Sequence, residues 1–168
     1  MESKGLKNKL TMINPGGVFG DALDKKGGTS IEYVRQFLKG KFPAAPKWGI
    51  LISDVKDVAK AHVACIGNTK VGGRRLIVGK EVKKLIELSQ IMAEAMPEYA
   101  KKLPKKELPN FMVKLISLFD SSAKTLIPDL EIVMQTDTTY SEELLGLKFN
   151  PAKGCISETA KSVVRLGL

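Results

Sequence analysis

The residues able to do chemistry in this chain are few, and their spacing limits what they can do. Asp54 and Asp57, in "SDVKDVAKAHVA", invite reading as paired carboxylates for acid–base work. They also stand where a strand-like run, "WGILIS", gives way to a helical pattern, and aspartates there are expected to cap the helix. The single histidine, His62, lies beside the Val58, Ala61, Cys65 stripe of that helix with no serine or cysteine partner at a motif spacing; it is expected to pack there. A lone histidine binds no metal. Cys65 and Cys155 fit no C-x-x-C or Cys/His ligand pattern, so neither a metal site nor a disulfide framework is expected, and both read as small buried hydrophobes.

The stretch "INPGGVFG", Ile13 to Gly20, offers a different chemistry. Proline removes an N–H and fixes the turn, and paired glycines let a backbone approach a flat ring closely. Read alone, Pro-Gly-Gly is better taken as a strand-ending turn.

The elements that must position these residues alternate at first. "KLTMIN", residues 9–14, reads as a strand closed at Pro15. After the polar loop "DALDKKGGTS", Ile31, Val34 and Leu38 share a helical face that ends at Gly40, with Thr29 or Ser30 available as N-cap. "WGILIS" is a second strand, the Val58–Cys65 stripe a second helix, and "RRLIVG" a third strand. From about residue 82 the β signal stops. Leu85, Leu88, Met92 and Ala95 form one helical stripe, and Met112, Leu115, Ile116 and Phe119 another beginning near Pro109, across the lysine- and proline-rich "PEYAKKLPKKELP". A short helix over Ser141–Leu145 ends at Gly146, with Thr139 and Glu142 spaced as a capping box, and Ile156, Ala160 and Val163 define a last helix that stops at Gly167.

The fold class is therefore α/β: an incomplete parallel sheet over residues 1–80 in βαβαβ order, then a mainly helical lobe over residues 81–168. A parallel sheet needs both faces covered, so three short strands call for something to complete them.

Composition bounds the rest. The chain has 168 residues, 43% of them hydrophobic, which suits one domain with its own core. No run approaches the roughly 20 apolar residues of a bilayer span, and "MESKGLKNKL" lacks the apolar region of a signal peptide, so a cytoplasmic protein with no membrane partner is expected. The net charge of +9 would suit a nucleic acid, yet arginine contributes only Arg35, Arg74, Arg75 and Arg165, and no aromatic–basic interleaving occurs. Scattered lysine is the usual solvated surface, so a nucleic-acid partner is not expected.

In order and rough spacing, "INPGGVFG", "ISDVKDVAKAHVA", "GGRRLIVG" and "SEELLGLKFNP" resemble the second half of extended short-chain dehydrogenase/reductases, the NAD-dependent epimerase/dehydratase family. The branch most similar holds dihydroflavonol reductases, cinnamoyl-CoA reductases and ketone–aldehyde reductases. The departures carry as much weight as the likeness. No G-x-x-G-x-x-G loop follows an N-terminal strand, and Phe37, Leu103 and Leu144 stand four residues after Tyr33, Tyr99 and Tyr140, so the family's Y-x-x-x-K dyad has no counterpart.

The resemblance implies a C-terminal, substrate-binding portion of an NAD(P)-dependent reductase, left by truncation or gene loss. The full-length parent would bind NADP or NAD and transfer a hydride to a ketone or aldehyde. Pro15, Gly16, Gly17 and Val18 would lie along the nicotinamide. Ser30 would reach the cofactor's phosphates from a helix N-terminus, or simply cap that helix. Phe19 and the helix around Met112 would wall the substrate pocket. No catalytic residue remains, and the chain alone is expected to bind no cofactor and to be inactive. Its partners would be the missing N-terminal half, or a second copy paired through an exposed strand edge. The alternative is a non-catalytic interaction module derived from this family.

Overall fold

The computed structural model describes residues 9–118, 124, 127–130, 132 and 134–167. In chain order these form β1 (Met12–Pro15), β2 (Gly17–Phe19), α1 (Thr29–Leu38), β3 (Ala45–Pro46), β4 (Gly49–Asp54), α2 (Val55–Cys65), β5 (Arg75–Val78), β6 (Glu81–Lys84), α3 (Leu85–Ala95), β7 (Glu107–Leu108), α4 (Asn110–Ile116), α5 (Thr139–Leu145) and α6 (Ala152–Arg165). The α/β class holds, with small partial sheets.

The sheets are organised around β4. β1 pairs with β5 in parallel, Ile13 opposite Leu76, while β2 pairs with β4 in parallel, Val18 opposite Ser53. The chain passes from one sheet to the other at Gly16, so Pro15 does not open a loop: strand pairing resumes at once at Gly17. The second strand pair divides in the same way, since β5 ends at Val78 and the chain rejoins β4 as β6.

Ser53 closes the gap between the two sheets. Its hydroxyl, fully buried, accepts from the Gly16 amide at 2.9 Å and donates to the Val78 carbonyl at 2.6 Å.

β6 corrects the expectation that β structure stops near residue 82. It runs antiparallel to β4, with Ile50 opposite Lys83. Its sequence, "EVKK", has one apolar residue and so no alternation to read; the open edge of β4 recruits it. β7 is a two-residue parallel bridge to β3.

Two apolar clusters hold these layers. Phe19, Phe37, Ile52, Leu88, Met92 and Ile156 belong to the larger, which draws side chains from both sides of residue 80. Leu76 and Val78 from β5 meet Ala61, Leu145 and Phe149 in the smaller. Burying a side chain of this size is worth about 1.5–3 kcal/mol, so these clusters carry the fold.

Several local expectations need correction. α1 is capped by neither Thr29 nor Ser30: Gly28 is the N-cap and no side chain bonds there. α5 has no capping box. Asp137 accepts from the Thr139 amide at 2.9 Å instead, and Glu142 turns to the Phe149 amide and the Lys80 ammonium. His62 is exposed rather than packed, its Nδ1 at 2.8 Å from the Val58 carbonyl of its own helix. In α4 the expected core stripe faces outward: Met112, Leu115 and Ile116 are exposed and Val113 is buried, because the helix rotates the other side toward the protein. Phe119 lies outside the described residues.

Candidate functional site

Strand β2 delivers Phe19 to the base of a cavity, and the loop that follows is fixed by helix α6. The buried hydroxyls of Thr159 and Ser162 accept from the amides of Gly20 and Ala22 at 2.7 and 2.9 Å. Each hydroxyl donates in turn to a carbonyl of its own helix, Cys155 and Thr159, so no polar group is stranded. Arg165 adds an ion pair to Asp21 at 2.7 Å.

The cavity has a volume of about 610 Å³ and opens where the β1–β2 junction meets the start of α1. Pro15, Gly16, Gly17, Phe19 and Ser30 all line it, together with Asn14, Thr29 and Thr136. Val18 and Met112 do not. Its wall also includes Tyr33, Trp48 and Met134, which sequence reasoning did not single out. Tyr33 and Trp48 form a tilted aromatic pair with centroids 6.4 Å apart. A signal for Tyr33 was present, since it stands one helical turn after Ser30; Trp48 is the chain's one tryptophan and opens β4's approach.

The lining is apolar with hydroxyl and amide groups, and none of the described residues in it is an Asp, Glu, Lys, Arg or His. Such a surface can hold a flat, weakly polar ring and exclude water. Its described lining residues offer no carboxylate or imidazole for general acid–base work. Tyr33 is a phenol on the wall, but Phe37, where a dyad would need lysine, is buried in the core.

The glycines at the junction have a structural cause. A Cβ on Gly16 would lie 2.2 Å from the Leu51 carbonyl oxygen, and one on Gly17 would lie 2.5 Å from Ile50 Cδ1. The close approach that Gly16 permits is to strand β4.

Asp54 and Asp57 do not line the cavity. Both are buried, and Asp54 caps α2 by accepting from the Lys56 amide at 2.8 Å. The Asn150 side chain donates to Asp54 Oδ2 at 3.1 Å and to Asp57 Oδ1 at 3.0 Å, and the Asn150 amide donates to Asp57 Oδ2. The pair therefore ties "KFNP" to the start of α2 and is architectural.

Cys155 is buried against α6's own Ala152 carbonyl, and burial pushes its thiol up to about 12. Cys65 is half-buried and also raised by burial. Neither is a poised nucleophile. Among the described residues no cluster of His, Cys, Asp and Glu could hold a metal ion, and no helix is long and apolar enough to cross a membrane.

No family model matches the chain. It is 26% identical over 166 residues to cinnamoyl-CoA reductase 1 of Petunia hybrida, covering 99% of the chain and 44% of that protein. It is 28% identical to the NADPH-dependent methylglyoxal reductase of Saccharomyces cerevisiae, covering 95% and 44%. Among solved structures, the yeast methylglyoxal/isovaleraldehyde reductase complexed with NADPH superposes with a TM-score of 0.68 at 26% identity, over 93% of this chain and 43% of that one. A nucleoside-diphosphate-sugar epimerase from Pseudomonas aeruginosa gives 0.72 at 14% identity, a likeness of fold alone. The chain spans less than half the length of the curated relatives it matches. Over nearly its whole length it is similar to the C-terminal part of extended short-chain dehydrogenase/reductases, in the branch that includes cinnamoyl-CoA and methylglyoxal reductases.

Proposed function

We propose that this chain is the substrate-binding C-terminal portion of an NAD(P)-dependent reductase acting on a ketone or aldehyde. The observation that carries the reading is the convergence of Pro15, Gly16, Gly17, Phe19 and Ser30 on one apolar cavity at the β1–β2 junction.

The lining suits a nicotinamide, which is flat, amphipathic and uncharged at its amide. Pro15, Gly16 and Gly17 would hold one edge of the ring, and Val18 would support the strand behind it. Ser30, with the uncapped first turn of α1, would face the anionic part of the cofactor; the absence of any side-chain cap supports this over a capping role. When bound, the nicotinamide supplies the hydride. Phe19, Tyr33 and Trp48 would enclose the carbonyl compound and keep water out, with the exposed helix holding Met112 further from it. In this reading residues 1–80 form the end of the nucleotide-binding sheet and residues 81–168 the substrate lobe.

Neither a proton donor with its lysine nor a diphosphate-binding turn stands in these residues, so the chain alone neither binds NADPH productively nor turns over. Its partner is an N-terminal nucleotide-binding half. The face of the β1–β5 sheet turned away from the smaller core supports this: Leu10, Met12 and Ile77 are exposed there, while parallel sheets are covered on both sides.

The test is NADPH oxidation with methylglyoxal and with larger aldehydes, by the chain alone and by a fusion placing it after the N-terminal half of the yeast methylglyoxal reductase. Activity in the fusion only is expected. Turnover by the chain alone, or a folded fusion that binds NADPH yet reduces no carbonyl, overturns the reading.

A further inference from the structure

Helix α4 turns an apolar stripe to solvent. Phe111, Leu115 and Leu118 follow one another at helical spacing and are 70%, 58% and 74% exposed, while Val113 on the opposite side is 2% exposed. A core helix has the reverse pattern. Met112 and Ile116, also exposed, widen the stripe at its border.

The segment leading into this helix, "KKLPKKELPN", carries Lys101, Lys102, Lys105 and Lys106, all exposed. None takes part in any ion pair among the described residues. Lys102 sits over the Tyr99 ring at 5.4 Å, and a Cβ on Gly40 would touch its side chain at 3.4 Å, which brings the exposed Lys39 and Lys41 beside it. Two segments thus gather cations that make no ion pair among the described residues, and one of them runs directly into the helix that carries the exposed stripe.

An occupant must satisfy both features. A nucleic acid would use the lysines and leave Phe111 and Leu115 in water. A second copy meeting this face through a two-fold axis would set lysine against lysine. The surface of an anionic bilayer offers phosphates and carboxylates to the cations and an acyl boundary to the stripe, and lysine stems are long enough to reach the former while the helix enters the latter. A helix lying in that plane needs no spanning length, so the lack of a spanning segment does not bear on it.

We propose that α4 and the preceding lysines dock this protein on membrane surfaces containing anionic phospholipid. The inference stands independently of the reductase reading.

The test is co-sedimentation of the full chain with vesicles of phosphatidylcholine alone and of phosphatidylcholine with about a third phosphatidylserine. Binding only to the anionic vesicles, weakening as salt rises, is expected. The double substitution F111S/L115S, at exposed positions and checked by circular dichroism for an unchanged fold, is expected to lower partitioning at least about tenfold. K105Q/K106Q is expected to weaken it by a smaller factor. No binding, equal binding to neutral vesicles, or undiminished binding by F111S/L115S overturns the proposal. A concentration-dependent dimer that F111S/L115S abolishes, without vesicle binding, would assign the face to a second copy. Duplex DNA binding without vesicle binding would assign the lysines to nucleic acid.

Discussion

The amide of Gly16 donates to Ser53 Oγ, and the same hydroxyl donates to the Val78 carbonyl, so one side chain joins strands that belong to different sheets. Ser53→Ala would leave a half-buried N–H and a buried carbonyl without this partner. The expected cost is about 1–3 kcal/mol, read from urea denaturation of the chain. A loss within experimental scatter would mean that the two sheets are held by packing alone.

Gly16 faces the same junction from the other side. Because a Cβ there would overlap the Leu51 backbone, and backbone on a central strand cannot yield, Gly16→Ala is expected to cost about 3 kcal/mol or to prevent folding. Gly154→Ala is the control. Gly154 lies inside α6 with no atom within 4 Å of the added Cβ, and alanine there should stabilise by about 0.5–1 kcal/mol through helix propensity. Opposite signs in thermal unfolding are the expected outcome.

Asn150 satisfies two buried carboxylates at once. Asn150→Ala removes the bonds from its side chain to Asp54 and Asp57 but leaves the backbone bond to Asp57, so a loss of about 2–3 kcal/mol is expected. In an Asp57→Ala background the same substitution should cost less, because one acceptor has already gone. Additive losses in that double-mutant cycle would contradict the latch.

Glu142 makes the fold sensitive to acid. Its carboxylate accepts from the Phe149 amide at 2.8 Å and from Lys80 at 3.0 Å, and these hold its pKa below the ordinary 4.5. A folded value below the unfolded one gives stabilisation that is complete above about 4.5 and is lost as pH falls through the folded value. Glu142→Gln should therefore be less stable at neutral pH and lose less on acidification. An unchanged acid slope in thermal midpoints across the acid range would place the sensitivity elsewhere.

How much of this was legible beforehand follows from what each residue answers to. Helices α2, α3 and α6 could be read because their apolar stripes and stops are local: Asp54 caps α2, and Gly167 follows α6 in a left-handed conformation. The cavity was legible in outline at Pro15, Gly16, Gly17, Phe19 and Ser30, but Val18 and Met112 lie off its wall. β6 was not, because "EVKK" becomes a strand only by pairing with β4. The division of β1 from β2 was also hidden, since Gly16 is dictated by a strand that arrives much later in the chain. Asn150 gave no sign, as its partners are Asp54 and Asp57, far away in sequence. The outward stripe of α4 shows the limit of periodicity: spacing tells which residues share a face but not which way that face turns.

Ser30 separates the two roles that its position allows. As a cap it would support α1, and Ser30→Ala would cost about 1 kcal/mol of stability. The N-cap is Gly28 and no side chain bonds there, so stability should stay within about 0.5 kcal/mol. As a contact to a cofactor phosphate, by contrast, Ser30 would form a charge-assisted bond that exists only in the complex. In the fusion with a nucleotide-binding half, Ser30→Ala should then weaken NADPH binding about 3–10-fold at unchanged unfolding midpoint, measured by fluorescence titration. Loss of stability with unchanged affinity would return Ser30 to a purely structural role, and the phosphate contact would have to come from the backbone of α1's first turn alone.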